Sequence, residues 1–146
     1  MPKLALMVID VQPSFSPPDW LVTGIGALIG TMPSIATVER HDEARTPFQD
    51  QLGWAPGKAD DSLVPADRIF VKHGYLPPPE AIEHLIALRP SRVLVCGIQA
   101  DTCVLAAGFA LSPLATALSG RLEINRVLYV LPFGALAAAA GLRALW

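Results

Sequence analysis

Cysteine is scarce in this chain: two residues among 146, Cys96 and Cys103. They form no CxxC pair and have no companion cluster of His and Cys, which argues against a zinc site and against a disulfide-stapled scaffold. A reduced, cytoplasmic setting is the expectation. Charge is scarce as well, at 16% of residues, with a formal net charge of −2 and no long run of either sign. Neither nucleic acid nor an anionic membrane surface is an expected partner. Long apolar runs are also lacking. Leu4 to Ile9 stops at Asp10, shorter than a signal-peptide core, and the apolar stretch from Gly134 to Trp146 falls short of the ~20 residues that span a bilayer. The chain reads as soluble and untargeted.

What is abundant is apolar surface, 52% of residues. At this length that suits a single domain, 1–146, able to bury roughly two-thirds of its unfolded surface. Leu4 to Ile9 is continuous rather than alternating, the pattern of a strand buried on both faces of a parallel sheet. Ser34 to Glu39 and Arg68 to Lys72 read as further strands, and Arg92 to Gly97 as the strongest strand. Pro13, Pro17 and Pro18 enforce a loop, after which Asp19 caps a short helix beginning near Trp20. Pro77-Pro78-Pro79 leads into a helix over Glu80 to Leu88. Asp101 caps another over Thr102 to about Leu111, limited by Pro113. Arg126 to Leu131 reads as a strand and Ala135 to Leu145 as a helix. His41 to Pro65 is an irregular excursion, rich in Pro, Gly, Asp and Gln. Alternating strands and helices predict an α/β protein, a three-layer α/β/α sandwich with a mainly parallel, Rossmann-like sheet.

In such sheets ligands bind beyond the carboxyl ends of the strands. Asp10 closes the first strand, Lys72 closes the third, and Cys103 lies where the strongest strand turns into a helix. In the first turn of that helix the free N–H groups and the macrodipole favour a thiolate. Such a sulfur can attack a carbonyl or nitrile carbon, Asp10 can take and return the proton, and Lys72 can hold Asp10 and offset negative charge. Backbone amides near Gln99 and Cys103 can form an oxyanion hole. Each residue also has a plain structural reading: Cys103 as a small buried side chain, Asp10 as a turn residue, Lys72 as a strand-end lysine reaching water. Cys96, inside an apolar strand, reads as core. His73, beside Lys72, reads as structural, His84 as surface, and Phe48 and Trp54 as packing the excursion down.

These residues also carry a resemblance. Leu6-Met7-Val8-Ile9-Asp10-Val11-Gln12 with Phe15, Phe70-Val71-Lys72-His73-Gly74, and Val95-Cys96-Gly97-Ile98-Gln99-Ala100-Asp101-Thr102-Cys103-Val104-Leu105 resemble blocks of the isochorismatase-like cysteine hydrolases. That superfamily includes nicotinamidases and N-carbamoylsarcosine amidohydrolases. The likeness covers roughly Lys3 to Ala110 and fades beyond it, so the part after about residue 110 is divergent or shortened. It implies the isochorismatase-like fold and a catalytic triad of Asp10, Lys72 and Cys103. It also implies a non-proline cis peptide between Ile98 and Gln99 that aims the Gln99 and Cys103 amides into one oxyanion hole, with Gln12 and Phe15 bordering the substrate pocket. Relatives often assemble, so a homo-oligomer is expected.

Nicotinamidases in the superfamily carry an Asp-x-His-x-x-x-His metal motif after the second strand. Glu39-Arg40-His41-Asp42-Glu43-Ala44-Arg45 lacks the second His, so no metal and no cofactor are expected. The reading is a cysteine-dependent hydrolase of a small-molecule amide, carbamoyl or related C–N substrate, acting through a thioester. Two alternatives stand beside it: an isochorismate-type vinyl-ether hydrolase, and a catalytically inactive member serving as an interaction module.

Overall fold

The computed structural model of the chain describes residues 3–57, 60–99 and 102–119, with backbone alone for 112–119. Strands β1 (Leu4–Ile9), β2 (Ser34–Glu39), β3 (Arg68–Lys72) and β4 (Arg92–Gly97) form a parallel sheet in the order β3-β2-β1-β4. Helices α1 (Asp19–Leu28), α2 (Phe48–Leu52), α3 (Pro79–Leu88) and α4 (Cys103–Ser119) connect and follow them, and a 3₁₀ turn spans Pro13–Phe15.

The continuous apolar run of β1 is explained by its place inside the sheet. Ala5, Met7 and Ile9 pack with Ile35 of β2, Ala81 and Leu85 of α3, and Cys103 and Ala107 of α4. The alternate residues Leu6 and Val8 pack on the other face with Ala36, Ile25 of α1, Val11 and Val64. Helices therefore cover both faces, and the layers are α/β/α.

From β1 the chain builds outward through β2 and β3, then crosses back to set β4 on the other side of β1. In open sheets of this kind ligands bind beyond the carboxyl ends of the strands at such a reversal, here β1 and β4. Ile9 lies opposite Gly97 there. Gly97 adopts φ +144, and a Cβ on it would stand 2.0 Å from the Ile9 carbonyl oxygen. Only glycine allows this close approach.

Several element boundaries differ from expectation. Asp19 stands in the first turn of α1 with Pro18 as N-cap; an acid there still suits the helix dipole. Helix α3 begins at Pro79, which needs no N–H partner at that position, and ends on Arg89 in the left-handed region at φ 49. Helix α4 runs through Pro113 to Ser119. Proline removes one hydrogen bond and weakens a turn, yet the flanking Ala and Leu residues are strong helix formers. The excursion after β2 holds the short helix α2. Asp101, the strand expected over Arg126 to Leu131 and the helix over Ala135 to Leu145 lie outside the described residues. No helix among the described residues is long and apolar enough to cross a membrane.

Candidate active site

Asp10 follows the last residue of β1 and takes a left-handed φ of 53. Its N–H still donates to the Thr37 carbonyl, 3.1 Å away. A non-glycine residue in this region stores strain, which is found most often at functional sites. The turn ends the strand's alternation and leaves the carboxyl group buried. Oδ1 accepts a hydrogen bond from Thr37 Oγ1 at 3.1 Å, and Oδ2 forms an ion pair with Lys72 Nζ at 2.8 Å.

Lys72 is the final residue of β3 and is 2% exposed. Its ammonium donates to Glu39 Oε2 at 3.1 Å and to the Gly74 carbonyl, and it lies 3.6 Å from Cys103 Sγ. Cys103 is the first residue of α4 and is also 2% exposed. Its sulfur lies 3.5 Å from Gln99 Oε1, and the Asp10 carboxyl group is near enough to act on its charge. The parallel sheet thus brings Asp10, Lys72 and Cys103 to one buried point.

Burial dominates the electrostatics. It raises the pKa of Asp10 above the ordinary carboxylate value, although Lys72 and hydrogen bonds pull it down. Glu39 is raised for the same reason, again against the pull of Lys72. For Lys72 burial works downward, but Asp10, Cys103 and Glu39 outweigh it and the net shift is upward. Burial pushes the Cys103 thiol up to about 11, against the pull of Lys72 and with a further push from Asp10. Burial of the sulfur thus opposes the thiolate expected at the helix start, against the pull of the Lys72 ammonium.

Two other expectations meet a different arrangement. The Ile98–Gln99 bond is not cis, and no cis peptide occurs among the described residues. The chain turns instead through Gly97 at φ 144 and Gln99 at φ 57. The Gln99 carbonyl then accepts from the Thr102 and Val104 amides at 3.1 and 3.2 Å, closing the entry to α4. Gln12, expected beside the pocket, is 0% exposed and its amide is spent. Its Oε1 accepts from the Glu39 N–H at 2.6 Å and its Nε2 donates to the Glu39 carbonyl at 3.0 Å, so the side chain extends the β1–β2 ladder past Asp10. Phe15 is half-buried and meets Trp54 edge to face, with ring centroids 5.3 Å apart. The carboxylate of Asp60 accepts from the Ser14 amide at 2.9 Å, and Ser14 Oγ accepts from the Gly57 amide at 2.9 Å, holding the Trp54 loop against this turn.

Sequence reasoning missed Glu39 as a member of the cluster. It is 1% exposed, and both its oxygens accept from the Gly74 N–H, at 2.9 and 2.8 Å. The signal was present: an acid closing an otherwise uncharged strand, much as Asp10 follows β1. His73 is exposed, with Nδ1 2.6 Å from the Arg40 carbonyl. His84 is half-buried against Phe70. A cleft of about 560 Å³ lined by Arg40, His41, Asp42, Glu43 and His73 opens next in sequence to Glu39 and Lys72. The Glu39 carboxylate is engaged by Lys72 and Gly74, and among the described residues no group of three or more His, Cys, Asp or Glu is placed to hold a metal ion.

A parallel sheet switching direction at β1, with helices on both faces, is a doubly wound α/β fold, and solved structures share it. The chain aligns with N-carbamoylsarcosine amidase from Thermoplasma acidophilum at TM-score 0.62 and 18% identity, over 87% of this chain and 90% of that one. An isochorismatase family protein from Desulfovibrio vulgaris aligns at TM-score 0.60 and 19% identity, over 79% and 77%. Pyrazinamidase/nicotinamidase from Streptococcus mutans aligns at 0.57 and 17%, over 88% and 93%. No protein-family model and no curated protein matches the sequence.

Proposed function

We propose that this protein is a cysteine-dependent hydrolase of a small amide, carbamoyl or related C–N substrate. The observation that carries the reading is the Lys72 ammonium, 2.8 Å from Asp10 and 3.6 Å from the Cys103 sulfur, in a buried cluster at the strand ends. A buried triad of acid, base and nucleophile from distant segments is costly to hold and has a ready chemical use. Two of the proteins that share this fold are an N-carbamoylsarcosine amidase and a pyrazinamidase/nicotinamidase.

The chemistry follows from the resting protonation. Because burial favours the protonated sulfur, attack on the substrate carbon is coupled to transfer of that proton to the Asp10 carboxylate. Lys72 stays charged and offsets the negative charge that builds during attack. In this reading the backbone amide of Cys103, at the head of α4, is the donor to the oxyanion, and losing such a donor costs a factor of about 10²–10³. Asp10 then returns the proton to the departing nitrogen, the C–N bond breaks and a thioester remains on Cys103. Water, deprotonated by Asp10, attacks the thioester carbon, and the sulfur leaves as the thiol.

Intact-protein mass spectrometry after incubation with a panel of small amides and nitriles tests this. The expected result is a covalent adduct that maps to Cys103 and is absent from Cys103→Ala. Turnover of an amide by Cys103→Ala at the wild-type rate would overturn the mechanism.

A further inference from the structure

Two buried carboxylates face one buried ammonium in this site. Lys72 Nζ lies 2.8 Å from Asp10 Oδ2, 3.1 Å from Glu39 Oε2 and 3.6 Å from Cys103 Sγ. An ammonium has three protons to donate, and here it meets Asp10, Glu39, the Gly74 carbonyl and the sulfur. The sulfur is the weakest acceptor and the most distant. Glu39 is itself fixed at both ends. Its backbone is clamped by the Gln12 amide, and its carboxylate is held by the Gly74 N–H. Gly74 returns its carbonyl to Lys72. At its φ of +103 a side chain would be strained, and a Cβ would stand 2.9 Å from Thr46 Oγ1, which would have to shift.

We propose that Glu39 is a positioning residue of this site, which shares the Lys72 ammonium with Asp10 and thereby holds it back from a tight pair with the Cys103 sulfur. The proposal deepens the hydrolase reading and rests on it. Held by Glu39, Lys72 stays beside Asp10, ready to offset charge, and does not form a tight pair with the sulfur. The charged or titratable groups facing Glu39 are Lys72 from β3, Asp10 from the end of β1 and, through Lys72, Cys103 from α4. Removing the Glu39 charge leaves Lys72 to Asp10 and the sulfur, which favours the thiolate.

The test reads thiol chemistry instead of turnover. Wild type, Glu39→Gln and Glu39→Asp are alkylated with iodoacetamide across a range of pH, and modification is followed at Cys103 and Cys96 separately by peptide mass spectrometry. Glu39→Gln keeps the shape and deletes the charge; its Cys103 midpoint is expected to fall by about one pH unit while Cys96 is unchanged. Glu39→Asp keeps the charge and is expected to retain the wild-type midpoint. An unmoved Cys103 midpoint in a folded Glu39→Gln protein overturns the assignment. Should Glu39→Gln fail to fold, Glu39→Asp decides: a wild-type midpoint supports the proposal and a lowered one overturns it. Because no substrate is used, a failure of the hydrolase reading, with no amide or nitrile adduct on Cys103, is seen separately.

Discussion

Cys103 combines low exposure with a raised pKa, and both follow from where α4 starts: packed with Met7 and Ile9 of the sheet and near the Asp10 carboxyl group. Replacing it by Ala removes one buried sulfur from a site that Asp10, Glu39 and Lys72 still satisfy among themselves. Cys103→Ala is expected to lose adduct formation altogether while costing about 1 kcal/mol of stability, checked by mass spectrometry and urea unfolding on the same preparation. Asp10 gives a prediction in pH. Its carboxylate must be ionised to receive the thiol proton, and burial holds its pKa above the ordinary 3.8. Activity should therefore disappear as pH falls through a midpoint above 3.8. Thr37→Val removes the hydrogen bond that favours the ionised form, so the acid limb of its pH–rate profile should move to higher pH. A limb that stays in place would mean another group controls it.

At the scale of elements, the crevice depends on how closely β1 and β4 approach at their ends. The missing side chain of Gly97 makes that approach possible. Gly97→Ala sets a methyl group 2.0 Å from the Ile9 carbonyl and places alanine at a strained φ. It is expected to cost about 3 kcal/mol or more, read as a lower urea midpoint, and to disturb Asp10 and Gln99 together because they flank that contact. Strands were foreseeable from composition because burial on both faces selects continuous apolar runs, as in Leu4 to Ile9. The extent of α4 was not, since a local rule about Pro113 competes with the helix-forming residues around it. Gln12 was misjudged for a related reason. Its polar amide suggests a ligand contact, but only the parallel pairing of β1 with β2 reveals the Glu39 backbone that it completes.

For the molecule as a whole, the cluster of Asp10, Glu39 and Lys72 ties three strands together at the cost of three desolvated charges. Removing the cation leaves two carboxylates buried without compensation. Lys72→Met is expected to lose about 3–5 kcal/mol near neutral pH, measured by denaturant unfolding. Linkage gives the sign with pH. The folded-state pKa of Lys72 lies above its unfolded value of 10.5, so its contribution is fully present below 10.5 and is lost as pH rises through the higher folded value. Wild type should therefore show a falling Tm above about pH 10.5 in excess of any fall in Lys72→Met. Parallel curves for the two proteins would show that the ion pairs contribute nothing to stability.

The linear order of residues was sufficient for the sheet's strands, for the alternation that makes an α/β/α sandwich, and for three reactive side chains at strand ends, because strand burial and the direction of a parallel sheet are written in local patterns. Glu39's hold on Lys72, the sealing of Gln12 and the burial of Cys103 came only with the folded chain. Each depends on how much water is excluded and on which distant groups meet, and neither quantity is carried by any single stretch of sequence.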